Sequence, residues 1–404
     1  MLKTDHQNRW LNFGFFLISV WVACYRDIDF LKDPVPFAEE GTYFISESYK
    51  SGFWALGETY AGYIQVPQVL ATTIGIKLFG MLNLPYFLAW VSILVSLLPC
   101  GLILFGNSKL NLGPYSKFFL SILTLVAGPE ANSYSVLHFN FIWCWILVLI
   151  YFETEGNRWF RNILYNGLIF FGPLSGPMSV FLVPFFFVKY IQTRTKSSWY
   201  QFLLLFISSL VSFGFFLFKY QMNPASAEFS DRFNDFDLHI FLFNYFVDFL
   251  AGNSLGSFEE LKRPLAVVSF IVLCITVYHN FSKKYVKELF FMILVLSILP
   301  IVLSLGMRGG FRYVYVSNLV FVMLLLYLNK EMVSYMGIYL ASILLFAGLS
   351  YTTKHSRIYV RRKLSWPKEI AKWEQDSTYK PAIYPFNDWD TSKPWRIDLL
   401  KHTP

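Results

Sequence analysis

The chain has 404 residues, of which 55 % are hydrophobic and 20 % aromatic, with only 15 % charged and a mean hydropathy of +0.45. Soluble globular domains carry about 25 % charged residues. These figures therefore exclude a soluble domain on a single anchor, a disordered chain and a secreted disulfide scaffold, and they predict a polytopic membrane protein. The net charge of +8 would suggest nucleic acid in a soluble protein. In a membrane protein it sets orientation instead, and no nucleic-acid partner is predicted.

Residues 1–9 lead into the first apolar run without a small-residue cleavage site, which predicts a retained helix. Apolar runs follow at 10–25, 85–105, 118–127, 136–151, 163–172, 178–187, 200–218, 264–277, 289–305, 314–328 and 333–349, giving eleven crossings. The fold class expected is an all-α polytopic membrane protein with about eleven transmembrane helices. The runs on either side of Gly172-Pro173-Leu174-Ser175-Gly176-Pro177 are too short to span alone and read as two half-helices meeting at a break. Cys24, Cys100, Cys144 and Cys274 are scattered singly inside apolar runs, as small core residues are.

Short connections carrying Lys3 and Arg9, Lys109 and Lys117, Arg158 and Arg161, Lys189, Arg194 and Lys196, Lys283, Lys284 and Lys287, and Lys330 alternate along the chain. The positive-inside rule places them in the cytoplasm. The other side then receives a first loop over 26–84, a second over 219–263 and a tail over 353–404, beyond a bundle spanning 1–352. The alternation requires that 62–81, with Gln65, Gln68 and Lys77, is an interfacial helix and not a full span.

The first loop carries seven of the 26 acidic residues. Pro34 and Pro36 hold its approach extended, then Glu39 and Glu40 stand side by side before Gly41. Adjacent carboxylates repel, and a low-dielectric site raises the pKa of at least one, which makes a usable base near neutral pH. The plain alternative is a solvated acidic loop. Tyr49, Phe53, Leu56 and Tyr60 recur at helical spacing and predict an amphipathic helix over 46–59 on the membrane surface.

The run Phe37-Ala-Glu-Glu-Gly-Thr-Tyr-Phe, followed by Tyr60-Ala-Gly-Tyr, resembles an AEDG…YAGY pattern of bacterial GT-C-type membrane glycosyltransferases. Ser175-Gly-Pro-Met-Ser-Val, Gly310-Phe-Arg-Tyr-Val-Tyr-Val and the tail Trp366-Pro…Trp373…Tyr384-Pro…Trp389 are similar to further parts of it. Glu40 stands where the pattern has Asp. The nearest functional analogy is to serotype-modifying O-antigen glucosyltransferases.

The resemblance implies a multi-pass enzyme of the bacterial inner membrane with its site on the periplasmic side. Glu40 or Glu39 would take a proton from an acceptor hydroxyl on a glycan or lipid-linked glycan. That oxygen would displace the phosphate of a polyprenyl-phosphate sugar with inversion. Tyr60 and Tyr63 would contact substrate. No nucleotide fingerprint is present, in keeping with a lipid-linked donor.

A phosphate leaving group calls for cations. Arg308 and Arg312 sit four apart in a glycine-rich turn on the predicted outer side, suited to bidentate phosphate contacts, with Tyr313 beside them for sugar or lipid. The alternative is a pair snorkelling to the headgroups of membrane lipids. His138 and Asn140, at the outer end of a span, are candidate substrate contacts or hydrogen-bonded structural residues. Asp235, Asp237 and His239 could hold Mg²⁺ or Mn²⁺ but equally form a solvated loop, so no cofactor is assigned. The tail has eleven basic and six acidic residues with four tryptophans, which predicts an ordered cap that binds acceptor or packs on the outer loops.

Overall fold

The computed structural model describes residues 2–25, 28–37, 40–59, 63–126, 135–154, 159–222, 271, 274–275, 277–304, 315–328, 364–387 and 390–399. In chain order these form α1 (Leu2–Tyr25), α2 (Ile28–Lys32), α3 (Ser46–Ser51), α4 (Val66–Phe105), α5 (Pro114–Val126), α6 (Phe139–Tyr151), α7 (Trp159–Leu174), α8 (Val183–Thr193), α9 (Lys196–Met222), α10 (Val286–Ser304), α11 (Tyr315–Leu328) and α12 (Trp366–Gln375). Two antiparallel strands follow, β1 (Ala382–Asn387) and β2 (Asp390–Arg396).

Among the described residues two helices are long and apolar enough to cross a membrane, α4 and the Lys196–Phe218 part of α9. A third crossing results if α7 and the segment Pro177–Thr193 count as one broken span. The predicted run 333–349 and most of 264–277 lie outside the described residues. Trp10, Leu17 and Trp21 on α1, Leu94 on α4, Phe160 on α7 and Phe213 on α9 are exposed, leaving large apolar side chains on the outer faces of these helices.

The centre of the bundle is α6, in which every residue except Asn140 is buried. A helix that is apolar all round belongs inside a protein. Trp145 donates its indole N–H to Thr124 Oγ1 of α5 at 3.1 Å, and the Tyr315 hydroxyl of α11 donates to the Thr124 carbonyl at 2.8 Å. Three helices thus meet at one threonine, with no polar atom of the trio left in an apolar core.

The break expected at Gly172–Pro177 is present as a bend of 118° between α7 and the 3-10 turn Pro177–Leu182 that leads into α8. Gly176 makes the bend with φ +145°. A Cβ there would lie 2.8 Å from Cβ of Asn140, so the residue is fixed by both conformation and space. Gly176→Ala is expected to cost roughly 1–3 kcal/mol, read as a lower unfolding temperature of the detergent-solubilised protein.

A second break lies inside α4. Gly80, at φ +70°, separates the stretch beginning at Val66 from the run that continues to Phe105. The chain bends so sharply that Phe79 stacks on Phe87 with ring centroids 4.9 Å apart. This is where the sequence separates 62–81 from the run beginning at Pro85.

The amphipathic helix expected over 46–59 is corrected. It is cut at Gly52, whose φ of +58° ends α3 and starts a 3-10 turn, Gly52–Gly57. Tyr49 and Leu56 pack on the core while Phe53 and Trp54 point outward, so the apolar residues do not form one stripe. The mostly helical architecture agrees with the all-α expectation, to which the C-terminal hairpin adds two short strands. Its register slips between Ile383 and Phe386, next to Pro385, which has no amide to donate.

Candidate functional site

Glu40 opens a π-helical turn, Glu40–Ile45, and is only 3 % exposed. Its amide donates to the Phe37 carbonyl at 2.9 Å, and its Oε2 accepts from the Phe37 amide at 3.2 Å. The pair closes a reciprocal ring like a capping box, for which the extended Pro34–Pro36 approach prepares the chain. Oε1 accepts from the Val136 amide at 3.0 Å, and the Ser135 hydroxyl also donates to the carboxylate. Val136 begins the 3-10 turn Val136–His138 that runs into α6, so Glu40 sits on the amide end of the central helix, where a negative charge is favoured.

Burial pushes the Glu40 carboxyl up from 4.5 to about 7, against the hydrogen bonds from Val136, Phe37 and Ser135, which favour its ionised form. A carboxyl poised there can take a proton at neutral pH. The same three bonds tie the first loop to α6, so the residue positions the loop as well as carrying a titrating group.

The C-terminal segment closes over this loop. The Tyr384 amide donates to the Pro36 carbonyl at 3.2 Å, and Tyr384 pairs with Phe37 in a parallel bridge. The Ser46 hydroxyl donates to the Asp398 carbonyl at 2.7 Å, and Tyr49 meets Trp373 edge to face at 5.6 Å. A Cβ on Gly41 would lie 2.5 Å from Ile383 Cδ1, so a larger residue after Glu40 would have to displace the hairpin's isoleucine side chains. Trp366, wholly buried, donates its indole N–H to the Met81 carbonyl at 2.8 Å, directly after the Gly80 break. Within the cap, the Glu369 carboxylate accepts from Lys372, Tyr379 and the Ala382 amide; these bonds outweigh burial and hold its pKa below the usual range.

His138 is buried at the start of α6, with its ring tilted against Phe141. Asn140 uses its Oδ1 to accept from the Phe141 amide at 2.9 Å and packs against Gly176. Both are therefore on the helix end that holds Glu40. Tyr63 stacks on Phe216 of α9 at 5.3 Å, a packing contact. Glu39, Tyr60, Arg308, Arg312 and Tyr313 lie outside the described residues, as do Asp235, Asp237 and His239. Among the described residues no group of three or more His, Cys, Asp or Glu could hold a metal ion.

Two polar residues at this end are absent from the sequence-based site. Ser135 is the N-cap, accepting from the Leu137 amide, and its position just before an apolar run is a legible cap signal. Gln68 is wholly buried and donates Nε2 to the Ser175 carbonyl at 2.8 Å, joining α4 to the Gly176 bend. Its signal is a glutamine in the first turn of an apolar helix.

No protein-family model matches the chain, and neither a curated protein nor a solved structure matches it. What the fold defines is a mostly helical chain with, among the described residues, two to three helices long and apolar enough to cross a membrane, closed at one end by a small C-terminal cap.

Proposed function

We propose that the chain is an inverting glycosyltransferase of the GT-C type with about eleven crossings. It moves a hexose, glucose first among candidates, from a polyprenyl-phosphate donor to a cell-surface glycan such as O-antigen on the periplasmic face of a bacterial inner membrane. The observation that carries this reading is Glu40, a buried first-loop carboxyl with its pKa raised to about 7. The span count has support from parity. The cap touches the first loop, so the chain crosses an even number of times between them; ten crossings after the first meet that condition.

In the proposed reaction a first-loop carboxylate, Glu40 or its neighbour Glu39, takes the proton of the acceptor hydroxyl. The freed oxygen bonds to the anomeric carbon as the bond from that carbon to the phosphate oxygen breaks. Lipid phosphate leaves with the electron pair, and Arg308 and Arg312 neutralise it. His138, Asn140, Tyr60, Tyr63 and Tyr313 are the proposed substrate contacts.

The test is transfer of radiolabelled sugar by purified protein from polyprenyl-phosphate hexose, compared with a diphosphate-linked glycan donor. Transfer from the monophosphate alone is the expected result. A protein inert with every monophosphate donor that instead polymerises, ligates or moves the diphosphate-linked glycan would end the transferase reading.

A further inference from the structure

At the other end of α6 from Glu40 a cavity of about 550 Å³ opens between the last turn of α6, the end of α8 and the start of α10. Its size suits a small-molecule head rather than a lone ion. Three separate segments each bring a lysine to it: Lys109 after α4, Lys189 on α8 and Lys284 before α10. These belong to the connections that the positive-inside rule assigns to the cytoplasm.

Lys189 is only 3 % exposed. Its ammonium donates to the Ile150 carbonyl and to Gln201 Oε1, both at 3.2 Å, so the cation is built into the wall at the carbonyl end of α6. Lys109 and Lys284 come from turns and flank Glu288, which accepts hydrogen bonds from Tyr151 and Gln192. Among the described residues three lysines and one carboxylate line the cavity, so its lining carries an excess of positive charge, as basic pockets for anionic headgroups do.

We infer that this cavity binds a phosphate ester, the headgroup phosphate of an anionic lipid of the inner leaflet, with Lys109 and Lys284 closing on the anion and Lys189 supplying a fixed charge behind it. Glu288 lies among these lysines, and its negative charge opposes the bound anion. The site is independent of the transferase reading, since it lies on the opposite face from Glu40 and uses none of the proposed donor or acceptor contacts.

The test uses full-length protein in lipid nanodiscs and detergent. Thermal unfolding and native mass spectrometry would compare phosphatidylglycerol with phosphatidylcholine, and glycerol 3-phosphate would serve as the soluble competitor. Phosphatidylglycerol is expected to bind in preference to phosphatidylcholine and to raise the unfolding temperature. The Lys109→Ala/Lys284→Ala variant is expected to weaken its binding roughly 10- to 30-fold. Glu288→Gln, which removes the carboxylate that lines the cavity among the described residues and leaves all three lysines, is expected to bind it more tightly.

Millimolar glycerol 3-phosphate that leaves lipid binding intact assigns the site to a headgroup; effective competition assigns it to a soluble phosphate ester. Equal binding of both lipids, or a double-lysine variant with the wild-type preference, overturns the proposal. Should that variant fail to fold, unchanged or weaker phosphatidylglycerol binding by Glu288→Gln overturns it.

Discussion

Glu40→Gln is expected to lower sugar transfer more than ~100-fold, the size of a general-base contribution, while leaving a folded protein. Two opposing terms set its stability. The rise of the carboxyl from 4.5 to about 7 means that ionising it in the folded chain costs roughly 3 kcal/mol, and an amide escapes that cost. Yet both carboxylate oxygens accept backbone N–H groups, from Val136 and Phe37, and an amide offers only one acceptor. The donor left facing its NH₂ costs about 1–3 kcal/mol. The terms are of similar size, so above neutral pH the variant should unfold close to wild type. Large losses in both stability and transfer would instead mark Glu40 as a structural tie alone, with Glu39→Gln then the variant that identifies the base.

Stability and activity should respond to pH in opposite directions. Between about 4.5 and about 7 the folded chain holds a proton on Glu40 that the unfolded chain has released. The Glu40 contribution therefore favours folding fully below that window and is lost as pH rises through it. A base must be deprotonated, so kcat/KM should climb with pH and level off above about 7. Calorimetry on wild type and Glu40→Gln, with a pH–rate profile of wild type, checks both signs. A kcat/KM that is flat from pH 5 to about 8 would remove Glu40 from the proton transfer.

The second large effect is expected at Trp366. Trp366→Ala empties a wholly buried site, which costs about 3–5 kcal/mol, and leaves the Met81 carbonyl without its donor beside the Gly80 break. The loss should fall on the cap, detected as faster proteolysis within 364–399. Trp366→Phe keeps most of the packing and drops only the hydrogen bond, for which about 1 kcal/mol is expected. With the cap released, Ile383 and Ile397 no longer cover Gly41, and the midpoint of the activity profile should move down from about 7. An unchanged cleavage rate in Trp366→Ala would show that the cap is held elsewhere.

Elements governed by local chemistry were legible in the sequence. Glycine and proline punctuate the chain, so the bend at Gly176 and the separation near Gly80 could be placed from residue types. The tail tryptophans announced an ordered segment, and Trp366 and Trp373 do pack on the bundle and the first loop. The amphipathic spacing over 46–59 misled because Gly52 at positive φ resets the phase between Tyr49 and Phe53. The hairpin was hidden by Pro385 and Pro394, which argue against strands unless a slipped register accommodates them.

The candidate site was half legible. An acidic pair after a proline hinge is a local signal, and it pointed to Glu39 and Glu40 without choosing between them. That Glu40 would cap the helix starting at Val136, 96 residues away, is a tertiary fact without local trace. The lysines of the cavity at the other end of α6 were read only as orientation charges, because their convergence depends on how α8 and α10 meet the end of α6.

The tie between Ser46 and Asp398 joins residues 352 apart, and the strand partner of Phe37 is Tyr384. A chain made from its N-terminus exposes the first loop long before the segment that seals it leaves the ribosome. The bundle can form helix by helix, but the turn carrying Glu40 waits for residues 382–399 to be made and to fold back. Synthesis thus carries its own order: the first loop closes only after the hairpin has been made, and a product cut short anywhere before Tyr384 would reach the membrane with that loop still open.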